Sequence, residues 1–240
     1  MKPAAELARR IGLPIPDLTL LEQALVHGSF PNERPAAAIA SNERLEFLGD
    51  VVVGLVVSEV LYARHPDDDE GGLTARRAAI VSTHGLARLA RRLGLEELLR
   101  VGQGADRSGA RRRPSVLAAA FEAIVGALYL TAGLEATRDW LVQFAAAELA
   151  SETPVAALKS PKNRLQEAAY ALSGHPPSYR VVSAEGPQHA KHFVVELTVG
   201  EMGPWRGEGE SRRAAETEAA LRALGELLPD TAVSGEGTRR

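Results

Sequence analysis

The sequence predicts an all-α N-terminal domain followed by a small α+β module of order α-β-β-β-α. Three observations lead there. Over residues 1–150 apolar residues recur at spacings of three and four with almost no strand-like alternation, as in helices that each bury one face. Over residues 161–228 the texture changes to one helix, three short alternating segments and an alanine-rich helix. Between them lies SETPVAALKS (151–160), whose polar start and proline read as a linker.

Taken in order, helices are expected over 3–11, 18–27, 41–63, 73–92, 95–99, 115–131 and 134–149. Asp17 and Ser115 stand where N-caps are useful, and Gly133 where a helix should stop. In the module a helix over 163–172 is followed by strands over 178–184, 192–199 and 204–207 and a helix over 211–227. That order is about the smallest unit that buries one sheet face under two helices. Residues 229–240, rich in Gly, Ser and charge, are expected to be disordered.

Composition removes several classes. There is no cysteine, so disulfides and thiolate metal sites are excluded, and any metal must be held by oxygen or imidazole. The first residues, MKPAAELARRIGLPIPDL, contain no long apolar run, which argues against a signal peptide. No stretch reads as approaching the roughly 20 apolar residues that span a bilayer. A cytoplasmic protein without membrane association is expected. The net charge of −3 means that any nucleic-acid contact must come from local clusters of Lys and Arg.

The segment NERLEFLGD (42–50) sets Glu43, Glu46 and Asp50 at i, i+3 and i+7, on one face of a helix, with Leu45, Phe47 and Leu48 expected to anchor the other sides in the core. Stacked carboxylates repel by a few tenths of a kcal/mol per pair, which a bound cation relieves. A solvated acidic stripe is the bland alternative. The segment SVLAAAFEAIVGALYL (115–130) shifts the balance, because its single acid, Glu122, lies on an otherwise apolar helix. A lone carboxylate there is costly unless paired, protonated or metal-bound. Packed against the first helix, Glu122 can join Glu46 and Asp50 around one ion.

These segments resemble the ribonuclease III family. NERLEFLGD matches its signature completely, and LLEQALVHGSF (20–30) and EGGLTARRAAIVS (70–82) follow its pattern in order. The resemblance implies a homodimeric, Mg²⁺-dependent endonuclease, with Mn²⁺ able to substitute, that cuts both strands of an RNA duplex and leaves 5′-phosphates and short 3′ overhangs. It implies action in ribosomal and messenger RNA processing and no nucleotide cofactor. Position by position, it makes Glu46, Asp50 and Glu122 the metal ligands, with Asp50 and Glu122 catalytic, and sets Glu43 and Glu70 at the periphery of the paired sites. One position departs from the pattern. The family's helix usually carries Asp three residues before the final Glu, and here that residue is Ala119. A catalytically impaired member that still binds duplex RNA is therefore the alternative reading.

The module resembles a double-stranded RNA-binding domain through PKNRLQEAA (161–169), GPQHAKHFVVE (186–196) and GEGESRRAAETEAA (207–220). Ser211, Arg212 and Arg213 open its last helix, where free N–H groups and the helix dipole favour phosphate and disfavour unpaired cations. Gln166, His189 and Lys191 are the other expected RNA contacts, suited to the 2′-hydroxyls and phosphates that A-form RNA presents. Over 160–228 there are eight Lys plus Arg against nine Asp plus Glu, so the charge must be segregated by face. His27 is expected to be a hydrogen-bonded core histidine rather than a ligand, and RSGARRRP (107–114) a flexible basic loop.

Overall fold

The computed structural model describes residues 2–34, 40–187 and 191–228. The chain divides into two compact units, Met1–Thr153 and Pro154–Arg240. The first is helical: α1 (Pro3–Ile11), α2 (Thr19–Ala24), α3 (Ser29–Glu33), α4 (Glu43–Arg64), α5 (Glu70–Val81), α6 (Thr83–Arg92), α7 (Leu95–Leu98), α8 (Gln103–Arg107), a 3₁₀ turn (Ala110–Arg112), α9 (Pro114–Phe144) and α10 (Ala146–Leu149). The second contains α11 (Val155–Leu158), which falls within the expected linker, then α12 (Pro161–Ser173), β1 (Ser178–Glu185), β2 (His192–Val199), β3 (Met202–Gly209) and α13 (Arg212–Leu227).

The core of the first unit is built around α9, whose Leu117, Phe121, Ile124 and Leu128 are fully buried against α4, α6 and α2. By length and composition alone α9 could cross a bilayer, which corrects the sequence expectation. Its apolar faces are instead largely buried within this unit. Gly133 interrupts it with φ 82 and ψ 173, a conformation that glycine adopts without strain, so the expected stop is a break between two helical segments.

Elsewhere the single helix expected over 73–92 is two. Ser82 is extended (φ −62, ψ 156), and its side chain accepts a hydrogen bond from Gly85 N, capping α6. Arg113, not Ser115, is the cap residue of α9, with Pro114 in its first turn. The basic segment 107–114 is pinned rather than loose. The Arg111 guanidinium pairs with Asp106 at 2.8 Å and also donates to Leu99 O, and Arg113 donates to Ser108 O at 3.0 Å.

In the second unit the three strands form an antiparallel sheet in the order β1-β2-β3. One face, with Leu197, Val199 and Trp205, packs against Leu165 and Ala169 of α12 and Ala219, Ala220, Ala223 and Leu224 of α13. Alanines on α13 let the helix lie close to the sheet, and the Trp205 indole N–H donates to Glu226 at 2.6 Å. Ser160 caps α12, accepting from Asn163 N at 3.2 Å, with Pro161 at the first helical position.

Candidate functional site

In the first unit α4 carries Glu43, Glu46 and Asp50, and α9 carries Glu122. What brings them together is a glycine contact. A Cβ at Gly49 would stand 1.7 Å from Glu122 O, and one at Gly126 would stand 2.3 Å from Leu45 O. The two backbones approach more closely than any side chain at those positions would permit. Asp50 and Glu46 flank Gly49 on α4, so the crossing carries their charges to Glu122.

The electrostatics record that proximity. Burial first, then the charges of Asp50 and Glu46, push Glu122 up to about 7. Burial, Glu43 and Asp50 raise Glu46. Among the described residues, no three His, Asp or Glu side chains converge tightly enough to form a finished cage for an ion. Ala119, one turn before Glu122, walls a cavity of about 220 Å³ together with His27, Asn42, Glu43, Glu46 and Ser115. Glu46 and Glu122, whose ionisation is opposed by burial and by neighbouring carboxylates, are oxygen donors that fit a hard divalent ion, which relieves both.

Glu122 makes the stability of the metal-free protein depend on pH. Between the ordinary carboxyl value of 4.5 and about 7, the folded metal-free chain holds a proton that the unfolded chain releases. Stability therefore rises as pH falls through 7, and the gain is complete near 4.5. We expect the metal-free melting temperature to increase from pH 8 to pH 5.5, and Glu122→Gln to remove most of that dependence. A parent and variant with parallel pH profiles would contradict it.

Of the other expected site residues, Glu43 joins this cluster, and its carboxylate accepts from Ser41 Oγ at 3.0 Å. Glu70 does not. It opens α5, accepts from Thr74 Oγ1 at 3.0 Å, and lines a separate cavity of about 690 Å³ beside Leu55, Tyr62 and Arg77. His27 is hydrogen-bonded as expected, with Nδ1 2.8 Å from Ser29 Oγ, but it is half-buried rather than in the core and lines the cavity with Glu43 and Glu46. Phe47 overturns its sequence reading: it is 78% exposed rather than in the core.

In the second unit Gln166, Lys191, Ser211, Arg212 and Arg213 are all exposed, and His189 lies outside the described residues. Ser211 Oγ accepts from Ala214 N at 3.1 Å and so caps α13. The Arg212 Nε donates to Glu216 at 2.8 Å, leaving both terminal nitrogens of its fork uncommitted to that carboxylate. Arg213 forms no ion pair with a carboxylate among the described residues.

Residues 17–149 match the family described as Ribonuclease-III-like, and residues 161–227 match the Double-stranded RNA binding motif. The chain belongs to the ribonuclease III family. It is 46% identical to Ribonuclease 3 of Phenylobacterium zucineum over 217 residues, covering 90% of each chain. It is 43% identical to Ribonuclease 3 of Heliobacterium modesticaldum over 222 residues, covering 92% of this chain and 94% of that one. The crystal structure of the nuclease domain of ribonuclease III from Campylobacter jejuni aligns with a TM-score of 0.57 at 34% identity, covering 63% of this chain and 99% of that domain. A further structure of the same domain is described as flexible in a region involved in dimer formation.

For this member of the ribonuclease III family, sequence reasoning found the carboxylates but missed the glycines that join their helices. The available signal was Gly49 immediately before Asp50 and Gly126 four residues after Glu122, both inside helical patterns where glycine costs about 1 kcal/mol relative to alanine. Sequence reasoning also missed Glu216, which only its ion pairs reveal.

Proposed function

We propose that this chain is a Mg²⁺-dependent endoribonuclease that cuts double-stranded RNA as a homodimer, leaving 5′-phosphates and short 3′ overhangs, in cytoplasmic processing of ribosomal and messenger RNA. One observation supports the reading: at a glycine-mediated helix crossing, Glu46 and Asp50 lie near enough to Glu122 for their charges to raise it, in a chain that also carries a duplex-RNA-binding module. Glu46, Asp50 and Glu122 would hold the ion, Mn²⁺ substituting for Mg²⁺, with Asp50 and Glu122 as the catalytic pair and Glu43 at the margin. Such an ion, when bound, activates water and neutralises charge on the scissile phosphate. Gln166, His189, Lys191, Ser211, Arg212 and Arg213 bind the duplex, mainly through phosphate and 2′-hydroxyl contacts that read shape rather than sequence. The test is cleavage of a long duplex and of its separated strands, each with Mg²⁺ and with EDTA. Cleavage of the duplex alone, abolished by EDTA, is expected; equal cutting of single strands or EDTA-resistant cutting would overturn the reading.

The dimer has its own support in α4. Phe47, Val51, Leu55 and Tyr62 are all exposed and lie along one helix face at i, i+4, i+8 and i+15. Exposed large apolar side chains along one face of a surface helix mark an interface, and a duplex offers two strands for two sites. Phe47→Asp, which places a charge on that face, should convert the dimer to monomer in sedimentation at micromolar concentration and leave the helical circular dichroism intact. A parent chain that sediments as a monomer would end the proposal.

A further inference from the structure

Glu216 is one of the few charged side chains that is buried, only 8% exposed, and it lies one turn into α13. Its two carboxylate oxygens are divided between cations from two helices. Oε1 accepts from Arg212 Nε at 2.8 Å, and Oε2 accepts from Lys162 Nζ, which also sits 4.8 Å from the centre of the Tyr179 ring. Burial alone would raise the Glu216 pKa, but the bonds from Lys162 and Arg212 outweigh it and hold the group below the ordinary carboxylate range, so it is anionic. Arg212 is 64% exposed on its side chain, and Arg213 beside it is exposed as well. The start of α13 thus presents cations outward over a fixed anion that half cancels them.

We propose that Glu216 is an affinity-setting residue that weakens the module's hold on duplex RNA by competing with phosphate for Lys162 and Arg212. The inference rests on the reading of this module as a duplex binder. A phosphate engaging those cations lies within about a Debye length of the carboxylate, and a buried charge is screened less than an exposed one. Lys162 and Arg212 must therefore share or exchange their partner when RNA arrives. Since phosphate contacts carry no sequence information, holding them weak leaves selection to substrates that engage the whole enzyme.

The experiment measures binding of a long RNA duplex to the full chain in EDTA, across a salt series, for the parent, Glu216→Gln, Glu216→Ala and Glu216→Asp. Glu216→Gln and Glu216→Ala should tighten binding on the order of threefold to tenfold at physiological salt. They should also steepen the logarithmic salt dependence by about one for each additional phosphate neutralised. Glu216→Asp, which keeps the charge, should stay near the parent, and thermal melting identifies the folded variants. Under turnover with Mg²⁺ the neutral variants should lower KM and leave kcat unchanged. If the parent binds duplex and both neutral variants bind no tighter, or if Glu216→Asp tightens as much as they do, the inference is overturned while the module remains an RNA binder. If neither parent nor variants bind duplex even at low salt, the underlying reading falls and the inference with it.

Discussion

Replacing Ala119 with aspartate should raise the single-turnover rate of duplex cleavage by about 30- to 1000-fold at millimolar Mg²⁺. Positions 119 and 122 are three apart on α9 and so are neighbours on one helix face. The methyl group of Ala119 borders the cavity shared with Glu43 and Glu46, which has room for a carboxylate. As the chain stands, water can supply an oxygen there but not the negative charge. Loss of one positioned electrostatic stabiliser typically costs about 2–4 kcal/mol in the barrier, which sets the range. The parent should therefore cut slowly, respond to raised Mg²⁺ or to Mn²⁺, and bind duplex as tightly as the variant does. The new carboxylate also adds a like charge beside Glu46 and Glu122, so Ala119→Asp should melt lower than the parent without metal and recover when Mg²⁺ is added. Glu122→Ala should remove whatever activity remains. Equal rates for the parent and Ala119→Asp would mean that the missing ligand is supplied from elsewhere.

Gly49→Ala should damage both fold and site. Its Cβ would meet Glu122 O at 1.7 Å, a contact with backbone that no rotamer change relieves. The helices must separate, and overpacking of this kind costs about 3 kcal/mol. For a unit of this size that corresponds to a fall in melting temperature of roughly 6–12 °C. Separation also moves Glu122 away from Glu46 and Asp50, so cleavage should be lost even at temperatures where the variant is folded. Gly225 in α13 provides the contrast, because a Cβ there meets nothing within 4 Å. Gly225→Ala should be neutral or stabilising by up to about 1 kcal/mol. A Gly49→Ala protein that melts and cuts like the parent would show that the helix contact does not hold the site together.

Much of the molecule was legible in one dimension because the relevant signals are local. Apolar spacing of three and four marked the helical unit, and alternation marked the strands of the module. Ser211 opens the last helix where the sequence reading placed it, and its side chain caps α13. The placement of Glu43, Glu46 and Asp50 on one face follows from helix geometry alone, and the alanine at 119 is read directly. The break at Ser82 was hidden because both sides of it carry a continuous helical pattern, and only the cap geometry divides them.

Tertiary structure decided what depends on residues distant in the chain. Helix α4 is apolar around much of its circumference, so periodicity could not say which apolar side chains face inward. Packing buries Leu45 against α9 and leaves Phe47 in the open. Whether Glu122 reaches Glu46 and Asp50 depended on two glycines far apart in the chain, Gly49 and Gly126, each opposite a backbone carbonyl of the other helix. Glu70, an acid of the same sequence pattern, was carried by α5 to a different cavity. Composition could count cations and anions in the module but not pair them. The burial of Glu216 between Lys162 and Arg212 arises only when α12 and α13 pack on one sheet, because an ion pair depends on distance in space and sequence specifies distance only along a single element.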